Sequence, residues 1–185
     1  MTPISQYLND CRARKSTGAV TPETSLYSPF EILLNAAAEG LNPSVRCFMN
    51  LKNIDSNMPD GGVFTSDQFD PADLDRPASL QPAHGVIECK KPTDEVLEIA
   101  ETEQVSRYWK QFNQVLVTNY REFLLLGRDD RGGVVPLEHF KLVDTANDFS
   151  KKSVTKIDTE QGEACLDFLR RCLLRRSQSK HTSTT

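Results

Sequence analysis

The sequence predicts an α/β fold in which a central mixed β-sheet is flanked by helices. Three observations predict this class. A helical pattern over residues 28–40 is followed by three short apolar strands, a second helix and a further pair of strands, which is the order of an α/β domain. The 185 residues suffice for one domain with its own core. A hydrophobic content of 38% with 26% charged residues is typical of a globular chain.

The first helix has recognisable start and stop signals. Ser28 is followed by Pro29 and Glu31, which matches an N-cap residue, a proline at the first helical position and a capping-box acid. Gly40 is suited to the left-handed position after the last turn. The buried stripe is expected to consist of Ile32, Leu33, Ala36 and Ala37.

Residues 85–91 predict a short, largely buried strand that ends before Pro92. Side chains alternate along a strand, so Glu88 and Lys90 are expected on one face, with Ile87 and Cys89 on the other. A carboxylate and an ammonium group therefore lie side by side at the end of an apolar element.

Asp60 is the acid expected to converge with Glu88. An Asp and a Glu at one point hold a hard divalent cation through oxygen, and an adjacent lysine orients a water on that metal. An Asp-Gly pair is also a common hairpin turn, so Asp60 taken alone is better explained by a turn. Considered together with Glu88 and Lys90, we favour a metal ligand.

The stretch from 92 to 110 has a helical rhythm, with Thr93 or Asp94 as the expected cap. Gln104 and Tyr108 are four residues apart and share one face of that helix. The pair can contact Lys90 or a DNA phosphate. The alternative is that Tyr108 belongs to the core and Gln104 to the surface.

The second half of the chain predicts a strand pair, an edge strand and a C-terminal helix. The strands are expected at 114–119, 122–127 and 134–140. Residues 144–159 are polar and are expected to be loosely ordered, with lysines that can follow a phosphate backbone. A helix at 160–176 carries arginines in its second half, which the helix dipole explains without DNA.

Three regions follow from composition: a polar N-terminal arm at 1–24 with a short helix at most, a folded domain at 25–176, and a low-complexity tail at 177–185. Residues 65–84 predict a long acidic loop. Its acids have no calcium-loop spacing, so no cation site is expected there.

Charge and cysteine usage restrict the class of protein. The net charge of -4 argues against a general nucleic-acid binder, although acids gather near the proposed metal site and bases dominate after residue 104. The five cysteines lack metal-ligand spacing and are expected to be reduced thiols. No membrane segment or leader is apparent, which predicts a cytoplasmic protein.

Pro59-Asp60 followed by Glu88-Cys89-Lys90 resembles the PD-(D/E)XK nuclease superfamily, and Gln104 with Tyr108 resembles its Mrr-like branch. From about residue 24 to 126 the chain resembles, more narrowly, the N-terminal nuclease domain of single-polypeptide, type I-like restriction-modification enzymes. The motifs that carry this likeness are Leu26-Tyr27-Ser28-Pro29, Leu33-Leu34-Asn35, Thr102-Glu103-Gln104, Arg107-Tyr108 and Leu116-Val117-Thr118-Asn119-Tyr120 with Glu122-Phe123.

The resemblance implies a restriction-endonuclease-like core and hydrolysis of phosphodiester bonds in double-stranded DNA. Asp60, Glu88 and the Cys89 carbonyl would bind Mg²⁺ or Mn²⁺, and Lys90 would position the attacking water. Glu31 is a further candidate, since such nucleases often carry an acid on their first helix, but the capping box explains it without catalysis.

The resemblance further implies helicase, methyltransferase and target-recognition parts. The chain has no phosphate-binding loop or glycine-rich cofactor motif, so it is expected to be a module with such parts fused or associated, or a small free-standing relative. The alternative function is an inactive module that keeps the nuclease fold and binds DNA or protein.

Overall fold

The computed structural model describes residues 1–16, 24–51, 58–68 and 81–175, without the side chains of residues 15 and 16. The helices are α1 (Pro3–Ser16), α2 (Tyr27–Ala38), α3 (Val96–Ala100), α4 (Glu103–Phe112), α5 (Ala146–Lys151), α6 (Val154–Ile157) and α7 (Glu163–Leu174). The strands are β1 (Val45–Met49), β2 (Gly61–Thr65), β3 (Val86–Cys89), β4 (Val115–Thr118), β5 (Glu122–Arg128) and β6 (Val134–Lys141). Short 3₁₀ turns cover Thr24–Leu26 and Ser66–Gln68, and a π-helical turn covers Asp158–Gly162.

The six strands form one sheet in the order in which they occur along the chain. Strands β3 and β4 run parallel, and every other neighbouring pair is antiparallel. The parallel pair needs a crossover connection, which α3 and α4 supply. The α/β class with a mixed sheet flanked by helices is therefore confirmed.

Two apolar clusters cover the two faces of the sheet. One face packs against α1, α2 and α7, and its cluster includes Ile87, Cys89 and Phe123. The other face packs against α3 and α4, and its cluster includes Val86 and Leu124. Because side chains alternate along β3, Glu88 shares the face of Val86, as predicted from the sequence.

Helix α1 corrects the predicted N-terminal arm. Ile4, Tyr7, Leu8 and Cys11 are all buried, and their spacing is that of one helix face. The Tyr7 hydroxyl also donates a hydrogen bond of 2.6 Å to the buried Tyr120 carbonyl. Polar residues between these four positions conceal the apolar stripe in the sequence. Residues 3–16 are therefore part of the domain core, whereas residues 17–23 lie outside the described part.

Two further predictions about the helices are wrong. Residues 144–159 contain α5 and α6, capped by the hydroxyls of Thr145 and Ser153, which accept hydrogen bonds from Asp148 N and Lys156 N. The predicted helix at 92–110 is divided into α3 and α4, because Thr102 caps a new helix by accepting from Val105 N at 3.3 Å. The acidic stretch 69–80 and the tail 177–185 lie outside the described residues.

The cysteines are buried, and no disulfide joins any of them. Burial raises the pKa of the Cys11 and Cys165 thiols to about 12. Both thiols therefore stay protonated at neutral pH, as expected of cysteines that fill a core. Among the described residues, no helix has the length and apolar character needed to cross a membrane.

The burial of α1 predicts a large cost for truncating its core face. Leu8→Ala should lower the free energy of unfolding by about 2–5 kcal/mol, because Leu8 is fully buried. Leu97→Ala is the matched control, since Leu97 is 55% exposed and should change stability by less than about 0.5 kcal/mol. Urea unfolding followed by circular dichroism measures both. Equal effects of the two variants would contradict the packing of α1.

Candidate active site

The candidate site lies where β3 leaves the sheet, on the face covered by α3 and α4. The β2–β3 register pairs Gly61 with Ile87, so one further step places Asp60 opposite Glu88. Neighbouring strands are about 4.8 Å apart, which makes the two acids near neighbours. The Asp60 carboxylate also reaches across, and its Oδ2 accepts a hydrogen bond of 2.7 Å from Cys89 N.

Asp60 is held from two sides. Besides the bond from Cys89, its Oδ1 accepts a hydrogen bond of 2.6 Å from the hydroxyl of Tyr27, the first residue of α2. A carboxylate offers about four lone-pair sites, and these two bonds use one on each oxygen. Asp60 therefore keeps acceptor capacity for a cation while its orientation is fixed. A hairpin turn, the alternative interpretation of Asp60, does not require such contacts.

Glu88 and Lys90 form a close ion pair on that face. The Lys90 Nζ lies 2.6 Å from Glu88 Oε1, and the Glu88 side chain is 1% exposed against 28% for Lys90. Lys90 is further fixed by its backbone N–H, which donates to the Thr118 carbonyl at 2.9 Å. A carboxylate buried to this extent needs a nearby positive charge. Lys90 supplies it here, and a metal ion would be a second source.

The Gln104–Tyr108 pair on α4 lies beside these groups. Gln104 Nε2 donates to the Tyr108 hydroxyl at 3.1 Å, which confirms that both share one helix face. Tyr108 in turn donates to the Met58 carbonyl at 2.8 Å, two residues before Asp60. The pair therefore fastens the segment that leads into Asp60 to helix α4.

Burial is the main cause that raises the pKa of Tyr108 above its ordinary value. The Gln104 hydrogen bond opposes this shift, the nearby Glu88 and Asp60 carboxylates add to it, and Lys90 lowers it. These influences show that the phenol lies within electrostatic range of all three site residues. Tyr108 remains a neutral hydrogen-bond donor at neutral pH.

Glu31 does not form the capping box considered from the sequence. Helix α2 begins at Tyr27, and its N-cap residue Leu26 makes no side-chain cap, so the predicted capping box at Ser28 is wrong. Glu31 Oε2 instead accepts a hydrogen bond of 2.6 Å from Met49 N on β1. The predicted stop at Gly40 is consistent with the structure, where Gly40 has a φ of 76°.

A polar cleft of about 290 Å³ adjoins Asp60 on the α2 side. It is lined by Thr24, Tyr27, Ser28, Glu31, Met49 and Asn50. Glu31 thus lines a cleft that it shares with Tyr27, the residue hydrogen-bonded to Asp60. Tyr27 is the residue that connects the two, and its role was missed because 33 positions separate it from Asp60.

The described residues contain no group of three or more His, Cys, Asp or Glu side chains able to hold a metal. The predicted site differs from such a cluster, since it consists of two carboxylates and one backbone carbonyl. Asp60 and Glu88 provide hard oxygen donors, which suit Mg²⁺ or Mn²⁺. The residues therefore fit a divalent cation of this class.

The basic residues near the C-terminus are largely paired with acids. Arg170 contacts Glu163 and Asp167, and Arg171 contacts Glu138. Lys152 and Lys156 both contact Glu160. These four basic side chains therefore have acidic partners within the protein.

No family model matches the chain, and no curated protein matches it. Among solved structures, the chain is similar to the cryo-EM structure of a DrdV–DNA complex, with a TM-score of 0.54 and 14% sequence identity. The similarity covers 95% of this chain and 14% of that chain. The fold is restriction-endonuclease-like.

The contacts of Tyr108 predict a measurable role in holding the site. Tyr108→Phe removes the donor to Met58 and leaves that carbonyl and Gln104 without their partner, which should lower stability by about 1 kcal/mol. Urea unfolding tests this, with Gln111→Ala as a control on an exposed position of the same helix. An unchanged unfolding midpoint for Tyr108→Phe would show that the hydroxyl does not anchor the Asp60 segment.

Proposed function

We propose that this chain is a metal-dependent endodeoxyribonuclease domain that hydrolyses phosphodiester bonds in double-stranded DNA. The observation that carries the proposal is the convergence of Asp60, Glu88 and Lys90 where β3 leaves the sheet. Two carboxylates with an adjacent ammonium group provide the charges that metal-assisted phosphate hydrolysis needs. The similarity to a protein whose structure is a DNA complex supports DNA as the substrate.

Asp60, Glu88 and the Cys89 carbonyl would hold the cation in this proposal. When bound, Mg²⁺ or Mn²⁺ supplies a Lewis acid that neutralises phosphate charge and activates water. The Tyr27 hydroxyl and Cys89 N–H keep the Asp60 carboxylate oriented before any ion arrives. This preorganisation lowers the cost of assembling the site.

Lys90 would position the attacking water and stabilise its developing negative charge. Its side chain is 28% exposed and its ammonium group lies 2.6 Å from Glu88 Oε1, so Lys90 is both partly accessible and held in place. The Gln104–Tyr108 pair would act by positioning, since it holds the backbone before Asp60 through Met58. Glu31 lines the same cleft as Tyr27 and would contact a group bound there.

The narrower assignment places the chain in the Mrr-like branch, as a nuclease domain of a restriction-modification system. It is supported by the Gln104–Tyr108 pair on the helix after β3. The chain spans about 14% of the length of the DrdV chain that it matches. In this proposal helicase and methyltransferase modules are fused to the domain or associate with it.

An inactive nuclease-fold module that binds DNA or protein is the second candidate. One observation favours it: Lys90 lies 2.6 Å from Glu88, so the buried carboxylate has a counter-charge without a metal ion. Such a module would retain DNA or a protein partner without hydrolysis. A mobility-shift measurement beside the cleavage assay separates the two functions.

The nuclease proposal predicts metal-dependent cleavage of plasmid DNA by the purified chain. Asp60→Asn and Lys90→Met should each reduce the cleavage rate by at least about 100-fold, because each removes a charge that stabilises the transition state. Asp130→Asn and Lys91→Met are the matched controls, since both side chains are exposed and should leave the rate unchanged. Gel electrophoresis with Mg²⁺, Mn²⁺ or EDTA measures the rate.

Breaking a buried ion pair is destabilising, so each variant also needs a thermal unfolding curve. A folded Lys90→Met variant that cleaves at the wild-type rate would contradict the role of Lys90. Intact plasmid with a retained mobility shift in the wild type would favour the inactive module.

A further inference from the structure

The cleft beside Asp60 has a chemistry different from that of the metal site. Its lining offers two hydroxyls, one amide and one carboxylate, from Thr24, Ser28, Asn50 and Glu31. The remaining walls are the side chains of Tyr27 and Met49. The lining therefore combines hydrogen-bonding groups with apolar surface, and none of these described residues is cationic.

Two short contacts connect this cleft to Asp60. Tyr27 lines the cleft and donates its hydroxyl to Asp60 Oδ1 at 2.6 Å. Asn50 lines it as well, and its backbone N–H donates to the Asp60 carbonyl at 2.7 Å. A ligand in the cleft would therefore contact Tyr27 or Asn50, and each of these residues contacts Asp60, the proposed metal ligand.

A carboxylate in the wall disfavours phosphate as the occupant. Met49 N uses one acceptor position of Glu31, and a carboxylate retains others. Glu31 therefore suits a ligand that carries an N–H donor. The carboxylate and the neighbouring hydroxyls and amide match a neutral group with hydrogen-bond donors.

We infer that this cleft receives one unstacked nucleobase of the DNA strand, next to the phosphate at Asp60 and Glu88. Glutamate, asparagine, serine and threonine are side chains that contact base edges, and carboxylates accept from the exocyclic amino group of cytosine. A volume of about 290 Å³ is near the lower end of small-molecule sites, which suits one base rather than a base pair.

The inference rests on the proposed function and adds a substrate preference to it. Removing a base from the stack is least costly when that base is mismatched or already single-stranded. The domain would then favour substrates in which a base beside the cleaved bond is unpaired. Of the two pyrimidines, cytosine would be preferred over thymine because Glu31 accepts from its amino group.

Free nucleosides test the cleft without metal, phosphate or cleavage. Deoxycytidine titrated into the ¹⁵N-labelled chain should shift the Ser28 and Asn50 amide signals, with a Kd on the order of 1 mM. Thymidine lacks the exocyclic amino group and should bind about tenfold more weakly. Inorganic phosphate at the same concentration should leave these signals in place.

Two variants assign the binding to the lining residues. Glu31→Gln should abolish the difference between deoxycytidine and thymidine, whereas Glu39→Gln, at an exposed position after the same helix, should preserve it. Asn50→Gly removes the amide at a backbone φ of 57°, which glycine adopts readily, and should weaken deoxycytidine binding about fivefold.

The inference is overturned if neither nucleoside shifts these signals at about 20 mM, a concentration well above the expected Kd. It is also overturned if phosphate alone produces the same shifts, or if Glu31→Gln leaves the preference for deoxycytidine intact. A chain that binds deoxycytidine but never cleaves DNA would refute the nuclease proposal and leave the cleft assignment standing. A chain that cleaves DNA but binds neither nucleoside would support the nuclease proposal and refute the cleft assignment.

Discussion

The hydrogen bonds to the Asp60 carboxylate are the constraint on which the site depends. One oxygen accepts from Tyr27 at the start of α2, and the other accepts from Cys89 N at the end of β3. Three segments far apart in sequence therefore meet at one side chain. Asp60 precedes β2, and its segment is held a second time through Met58 by Tyr108 of α4. The β2–β3 register brings Asp60 opposite Glu88, and these bonds fix the orientation of the Asp60 carboxylate there.

Placing the Asp60 and Glu88 carboxylates close together has an electrostatic cost, and the nearby Lys90 ammonium reduces it. Glu88 is almost completely buried, and an unpaired charge in that position would be strongly unfavourable. Lys90 offsets this cost within the same strand, two residues away and on the same face. The strand thus supplies both the acid and its counter-charge, and this pairing requires alternation of period two. A helix or turn in the same place would separate them.

Elements with a strong local signal could be predicted from the sequence. Strand β1, the β4–β5 pair and the alternation along β3 follow from short apolar runs, and all are present. Helix α1 was missed because its four buried residues are separated by polar ones. The capping box failed for a different reason: Ser28 has the right spacing to Glu31, but α2 begins one residue earlier, at Tyr27. Local patterns do not reveal a competing tertiary partner such as Met49 N.

The candidate site could be predicted only in part. The contacts that could not be predicted join residues far apart in the sequence. The identities of Asp60, Glu88 and Lys90 followed from their residue types and order, and the structure places them together. Tyr27 could not be assigned, because no spacing rule links it to an acid 33 positions away. The face shared by Gln104 and Tyr108 was predictable from a separation of four residues, whereas their partner Met58 was not.

The outer edge of β1 shows how α2 serves both the sheet and the cleft. Asn35 accepts from Cys47 N at 3.0 Å and donates to Cys47 O at 2.9 Å, so its amide imitates a neighbouring strand. Glu31, one turn earlier, accepts from Met49 N. Asn35 and Glu31 thus form hydrogen bonds with backbone groups of β1 that could otherwise pair with another strand. Since Glu31 and Tyr27 lie on the same helix, the contact that protects the edge of β1 also orients α2 toward Asp60.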